Sequence, residues 1–176
     1  MSVLFGFVVA TTPAASPAFI PVQEWVPMQH DRFIADTEAN MGYIVHDDGS
    51  YTAFRIGSGQ QKTVHYMGIT YDAATPLAHW EVKSTTIQTD RGTFGPTGFF
   101  LRLYENGKDY TSYGIHSTGN INDILAGNDR YKSMGCILVS NQVLNLLAKT
   151  YELNDHDLDV VTVFGLSDLL ASATNM

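Results

Sequence analysis

The chain has 176 residues, the size of one domain, and 44% of them are hydrophobic, which is enough to bury a core and is not the composition of a disordered chain. Eighteen acidic residues against ten basic ones give a net charge of -8 without any basic run, which argues against a nucleic-acid binder or a protein held at an anionic membrane surface. No apolar stretch is long enough to span a bilayer. The single cysteine, Cys136, excludes an intrachain disulfide and a multi-cysteine metal site.

The first 42 residues are interpreted as a lead-in to the folded domain. Val3–Ala10 is a short apolar run followed by small residues and prolines, which fits a signal-peptide core that lacks the usual basic residues, or a buried N-terminal strand. Four of the six prolines lie in residues 13–27 and predict an extended, irregular segment. A short helix is expected over Asp31–Ala39.

From Tyr43 onward the pattern is that of β-strands joined by tight turns. Asp47-Asp48-Gly49 predicts a hairpin between strands at residues 43–46 and 51–56, and Asn106-Gly107 predicts a second one between strands at residues 99–104 and 111–116. The remaining strands are expected at residues 64–71, 75–82 and 158–163.

One helix is predicted from its start signal and its periodicity. Ser140 is a favourable N-cap, and apolar residues share one face of residues 141–151. Residues 43–176 are therefore predicted to form a mostly-β domain, a sandwich or half-open barrel of mixed strands with one main helix after Cys136.

Two residues with reactive side chains, His116 and Cys136, lie where predicted strands meet loops. A cysteine attacks a carbonyl as thiolate, and a neighbouring histidine can take the thiol proton and return it to a leaving amine. Gly135 lets the backbone pass close to a substrate, and the amides of residues 134 to 136 are candidates to stabilise an oxyanion. A free cysteine is more often a small buried hydrophobe, and five other histidines are present, so the pair alone does not decide the function.

The residues around this pair resemble a known active-site signature. His116-Ser117-Thr118, a spacer to residue 132 and Ser133-Met134-Gly135-Cys136-Ile137 resemble the L,D-transpeptidase (YkuD-type) catalytic domain, whose signature is a histidine at a strand end, a spacer and Ser/Thr-His-Gly-Cys. The resemblance extends over residues 43 to 164. Two positions depart from it: Met134 replaces the second histidine, and Leu138 replaces an arginine or asparagine.

The resemblance implies an L,D-transpeptidase-like fold and a set of functional residues. The implied catalytic residues are Cys136 as nucleophile, His116 as its base, Ser117, whose carbonyl orients the imidazole, and Gly135. The implied substrate-binding residues are Thr118, Tyr113, Ser133 and Met134, although core packing is the default interpretation of Tyr113.

The resemblance also implies a reaction, a partner and a place of action. The substrate is a peptidoglycan stem peptide, and the reaction releases D-alanine through a Cys thioester and forms 3-3 cross-links. No cofactor and no metal are expected, nor any nucleic-acid partner or stable membrane span. The protein is expected to be a monomer exported to the cell envelope.

Three alternatives remain open at this point. The same Cys/His site serves an L,D-carboxypeptidase or a toxin that attacks the wall of a competitor. A catalytically degenerate wall-binding domain is the alternative from another class, with Met134 as the sign of lost activity.

The other histidines, both tryptophans and the polar loop before Cys136 are given structural roles. The histidines and tryptophans are expected to be surface or packing residues: His30, His46, His65, His79, His156, Trp25 and Trp80. Asp123, Asn128 and Asp129 belong to a polar loop that is expected to cover the cleft and lacks the register of a calcium loop.

Overall fold

The computed structural model of the protein describes residues 17–66 and 68–166. The run Val3–Ala10, with its two interpretations, lies outside the described residues. The strands are β1 (Arg32–Asp36), β2 (Met41–Val45), β3 (Tyr51–Arg55), β4 (Ser58–Gly59), β5 (Thr63–Tyr66), β6 (Ile69–Asp72), β7 (His79–Ile87), β8 (Phe99–Glu105), β9 (Asp109–His116), β10 (Tyr131–Ser133), β11 (Ile137–Leu138) and β12 (Leu158–Val163). The helices are α1 (Arg91–Phe94), α2 (Ile121–Ala126) and α3 (Asn141–Leu153).

Eight strands form one curled, mixed sheet in the order β11-β9-β8-β7-β12-β1-β2-β3. The pairs β1–β12 and β9–β11 are parallel, and the other neighbours in this sheet are antiparallel. Two small sheets, β4 with β10 and β5 with β6, lie outside it. This architecture confirms the predicted mostly-β fold of mixed strands with one main helix after Cys136.

The hydrophobic core lies between one face of the sheet and α3. Alternate strand residues point into it because successive side chains of a strand face opposite sides. The core includes Phe33, Ile44, Trp80, Val82, Leu101, Leu103, Ile115, Ile137 and Val160 from the strands, and Val143, Leu144, Leu147 and Tyr151 from α3. Because these residues fill one face, polar side chains of β8 and β9 lie on the opposite face.

The two turn-based hairpins and the capped helix are confirmed. β2 pairs with β3 and β8 pairs with β9 at the predicted turns, where Gly49 and Gly107 have φ of 85° and 68°. Ser140 Oγ accepts a hydrogen bond of 3.2 Å from the Val143 amide and starts α3. These elements depend on short-range signals, so sequence alone could identify them.

Three predicted elements are wrong. Residues 31–39 contain β1 instead of a helix, and β1 buries Phe33 and Ala35 while it pairs with β12. The strand predicted over residues 64–71 is the two-stranded hairpin β5–β6. The strand predicted from residue 75 begins only at His79.

The sheet extends upstream of the boundary that was predicted between residues 42 and 43. β1 lies between β12 and β2 inside the main sheet, so Arg32–Asp36 are part of the folded domain. Among residues 17–66 and 68–166, no helix has the length and apolar character that crossing a membrane requires.

Candidate active site

Parallel pairing of β9 with β11 brings His116 and Cys136 to one face of the sheet. Ile137 lies opposite Ile115, and Leu138 lies opposite His116. The two isoleucines are fully buried in the core, so His116 and Leu138 face the other side. Cys136 is two residues before Leu138 and therefore shares this face with His116 as a diagonal neighbour.

Backbone hydrogen bonds on both sides fix the segment that carries Cys136. Leu138 exchanges two hydrogen bonds of 2.8 Å with Gly57, and the Gln60 amide donates to the Ser133 carbonyl at 3.0 Å. On the other side, the Val139 amide donates to the His116 carbonyl at 3.0 Å. The segment is thus held between β9 and the stretch around β4.

Ser133 and Gly135 shape the turn directly before the cysteine. Ser133 Oγ donates to the Cys136 carbonyl at 2.6 Å and accepts from the Gly135 amide at 3.1 Å. Gly135 has a φ of 114°, and a Cβ there would lie 2.4 Å from Cε1 of Tyr113. Only glycine fits this position without a shift of the aromatic ring.

The Gly135 amide is therefore engaged inside the turn. Of the three amides expected for an oxyanion, those of Met134 and Cys136 make no hydrogen bond within residues 17–66 and 68–166. These two amides are the available backbone donors beside the thiol.

His116 is buried between two aromatic rings. Its ring centroid lies 4.9 Å from that of Phe94 and 5.6 Å from that of Phe100. The Nδ1 atom is 2.7 Å from the Ser117 carbonyl oxygen. A carbonyl only accepts hydrogen bonds, so Nδ1 carries the proton and Nε2 is the acceptor in the neutral ring.

Burial keeps both His116 and Cys136 neutral. It lowers the pKa of His116 below its usual value, against the opposing effect of the Ser117 and Thr93 carbonyls. It raises the pKa of the Cys136 thiol to about 11, although the Gly114 amide and the charge of Arg102 act in the opposite direction. Within the described residues no hydrogen bond joins the imidazole to the thiol.

A cleft of about 1540 Å³ opens over this face of the sheet. Six of the eight residues that the resemblance implies for the site line it: Tyr113, His116, Thr118, Ser133, Met134 and Cys136. The hairpin β5–β6 contributes one rim, and the loop with α2 contributes another. Ser117 and Gly135 are buried beneath the surface of the cleft, where they contact His116 and Tyr113. A cleft of this volume can accept a peptide.

Three cleft residues were not anticipated from the sequence. Phe94 and Phe100 enclose the imidazole, and Arg102 lies over the rings of Phe100 and Tyr110, with its Cζ 4.7 Å from each centroid. The signal for Arg102 was present, because it is the one charged residue inside the otherwise apolar stretch Phe99–Leu103. It shares a strand face with Phe100, and strand alternation would have placed it in the cleft.

The remaining predictions for single side chains are mostly confirmed. Trp25 and Trp80 are buried. His46 is a packing residue, stacked on Trp25 at 3.8 Å between ring centroids and 2.5 Å from the Asp31 carboxylate. His30, His65, His79 and His156 are exposed.

Comparisons with known proteins agree with this geometry. The YkuD family, described as the L,D-transpeptidase catalytic domain, matches residues 30–163. A search of curated proteins gives no match.

The fold is similar to that of several solved structures, one of which is an L,D-transpeptidase. An L,D-transpeptidase (residues 123–326) from Xylanimonas cellulosilytica is 20% identical with a TM-score of 0.55, over 87% of this chain and 65% of that one. Bd1075 of Bdellovibrio bacteriovorus is 13% identical with a TM-score of 0.52, over 77% and 48%. The Ldtfm-avibactam carbamoyl enzyme is 17% identical with a TM-score of 0.50, over 78% and 50%.

These likenesses establish the fold, and the chain spans about half to two thirds of the length of the structures it matches. The family match is the stronger finding, because it covers most of the chain and includes every strand of the main sheet. The chain belongs to the YkuD family of L,D-transpeptidase catalytic domains.

Proposed function

We propose that this chain is a cysteine-dependent peptidoglycan L,D-transpeptidase that forms 3-3 cross-links. The observation that carries the proposal is the placement of His116 and Cys136 on one face at the floor of a peptide-sized cleft. The hydrogen bond from Nδ1 of His116 to the Ser117 carbonyl supports it, because it leaves Nε2 free to accept a proton.

The first half of the reaction is acylation of Cys136. Nε2 of His116 takes the thiol proton as the sulfur attacks the carbonyl carbon of the third residue of the donor stem. The amides of Met134 and Cys136 are the donors nearest the developing oxyanion, since Ser133 occupies the Gly135 amide. Collapse breaks the carbon–nitrogen bond, and His116 returns the proton to the amine of the leaving D-alanine.

The second half is transfer of the acyl group. The free amine of a diamino acid on a second stem attacks the thioester carbonyl, loses a proton to His116 and displaces the Cys136 sulfur. The sulfur regains the proton, and the product is a 3-3 cross-link. Water in place of the amine would give a tripeptide, which is the L,D-carboxypeptidase reaction. The same peptidoglycan substrate implies that the protein acts at the cell envelope after export.

Mass spectrometry of reactions with a disaccharide-tetrapeptide muropeptide tests this proposal. Wild type is compared with Cys136→Ala and His116→Gln, and His79→Gln is the matched control because His79 is exposed and pairs with Asp159 away from the cleft. Cross-linked dimer that disappears in the first two variants and persists in the control is the expected result.

The other outcomes contradict the proposal in different ways. Tripeptide and free D-alanine without dimer would identify a carboxypeptidase or a wall-targeting toxin. No product and no covalent adduct on Cys136 would point to a catalytically degenerate wall-binding domain. Equal loss of dimer in His79→Gln would show that these substitutions act through the fold.

A further inference from the structure

Arg102 lies in line with the nucleophilic cysteine across three neighbouring strands. Arg102 of β8 is opposite Gly114 of β9, and the Gly114 amide and the charge of Arg102 both act to lower the pKa of the Cys136 thiol. Gly114 has no side chain, and the ring of Phe100 occupies the space above it, because a Cβ there would lie 2.2 Å from Cζ of Phe100. Arg102 and Cys136 both line the cleft, and Gly114 places no side chain of β9 between them.

The guanidinium is held firmly in place. Its Nη1 donates to the Thr111 carbonyl at 2.7 Å, and the group lies over the rings of Phe100 and Tyr110. Stacking on the rings and the backbone hydrogen bond fix the plane of the guanidinium, whose N–H donors form a planar fork, before any ligand binds. A fixed fork loses little entropy when it binds a second planar group.

Arg102 lacks a carboxylate partner among the described residues, although the chain carries a net charge of -8. The other basic residue of the cleft, Lys132, forms an ion pair with Asp129. Leu138, on the same face as Cys136, is apolar and offers no polar group. Among the described residues of the cleft, Arg102 is thus the cation that is available to bind an anionic group of a ligand.

The proposed reaction brings one anion close to this position. The leaving residue of the donor stem carries a terminal carboxylate that is three bonds from the carbonyl carbon attacked by Cys136. Those bonds place the carboxylate carbon at most about 4 Å from the attacked atom. A planar guanidinium recognises a carboxylate through two parallel hydrogen bonds.

We propose that Arg102 is a specificity-determining residue that binds the terminal carboxylate of the leaving residue of the donor peptide. This inference rests on the proposed function. The contact selects stems that end at the residue to be removed, because a longer stem has an amide where the carboxylate should be. It also sets the scissile bond above Cys136, since the carboxylate and the attacked carbonyl belong to adjacent residues.

The test compares the donor tetrapeptide with its C-terminal carboxamide, using release of the leaving residue as the readout. In wild type the acid should react at least about tenfold faster than the amide in kcat/KM, which is the discrimination expected from one charged hydrogen-bonded pair. Arg102→Gln should lower kcat/KM about 10- to 100-fold for the acid and less than about threefold for the amide. Arg102→Lys keeps the charge without the fork and should fall between.

Arg55→Gln is the matched control, because Arg55 also donates to a carbonyl, that of Leu125, and does not line the cleft. Binding of acid and amide to Cys136→Ala, with and without Arg102→Gln, is measured by calorimetry as a second readout. The acid should lose affinity when Arg102 is replaced, and the amide should not.

The outcomes separate this inference from the proposed function. Equal losses on acid and amide, or no loss on either, overturn the role of Arg102 while transpeptidation by the wild type still stands. No release and no binding of either peptide by the wild type overturns the proposed function, and the inference falls with it. A similar loss of the acid preference in Arg55→Gln also overturns the assignment to Arg102.

Discussion

Alkylation of Cys136 by iodoacetamide should rise about tenfold for each pH unit from pH 7 to pH 10, without a plateau. The reason is that burial raises the pKa of the thiol to about 11, so the reactive thiolate is a minor species throughout this range. The lowered pKa of His116 acts in the same sense, because a neutral imidazole supplies no charge to hold a thiolate.

The size of the effect follows from two opposing factors. At about pH 8 the thiolate fraction is about 0.1% for a pKa of about 11 and about 24% for an ordinary cysteine of pKa about 8.5. The more basic thiolate is also the better nucleophile. With a Brønsted slope of about 0.45, this difference in pKa raises the rate constant of the thiolate about 13-fold. Cys136 in the folded chain should therefore react about 20-fold more slowly than in the urea-unfolded chain.

The assay follows adduct formation by mass spectrometry at several pH values, with the unfolded chain as the internal reference. Cys136 is the only cysteine, so every adduct on sulfur reports on this site. A plateau near neutral pH, or faster alkylation in the folded chain than in urea, would refute the reasoning. Either result would mean that His116 and Cys136 form an imidazolium–thiolate pair at rest.

Three further predictions concern the scaffold of the site. Gly135→Ala should lower the free energy of unfolding in urea by about 1–3 kcal/mol more than Gly68→Ala does. Both positions have positive φ, but only Gly135 is crowded by a neighbouring side chain. Equal losses in the two variants would contradict this. Ser133→Ala should cost about 1–3 kcal/mol in the same measurement, since two buried backbone groups lose their partner, and Ser133→Thr should recover part of it. The pKa of His116 is lowered in the folded chain, so the unfolded chain takes up the proton first as pH falls. The free energy of unfolding should therefore fall below about pH 6.5, by up to about 1.4 kcal/mol per pH unit. His116→Gln should remove this part of the pH dependence, and an unchanged slope would show that His116 is not its source.

The features that sequence predicted are those encoded within a few residues. The turns at Gly49 and Gly107 carry their own signal, and Ser140 marks the start of α3 before any tertiary contact exists. The pairing of His116 with Cys136 on one face was anticipated only through the family resemblance, since the parallel β9–β11 contact joins distant segments.

The errors arise where distant segments decide the structure. A helix was expected over Asp31–Ala39, but pairing of Phe33 with Val160 of β12 fixes Arg32–Asp36 as the strand β1. The hairpin β5–β6 was missed because its only local turn signal is Gly68, which has a φ of 83°. Arg102 was missed although alternation along β8 places it on the same face as Phe100, because only the assembled sheet shows that this face lines the cleft.

The two pKa shifts at this site determine how the proposed chemistry can begin. Moving the proton from a thiol of pKa about 11 to an imidazole of pKa below about 6.5 costs at least about 6 kcal/mol when the two groups are treated separately. A turnover of about 10 per second corresponds to a barrier of about 16 kcal/mol, so this cost fits within an ordinary enzymatic barrier. An ion pair formed in advance is therefore unnecessary, and the proton can pass to His116 as the sulfur attacks. The thiol pKa of about 11 already includes the positive charge of Arg102, so a donor carboxylate that neutralises this charge would raise the cost, and the same residue would link substrate binding to the state of the thiol.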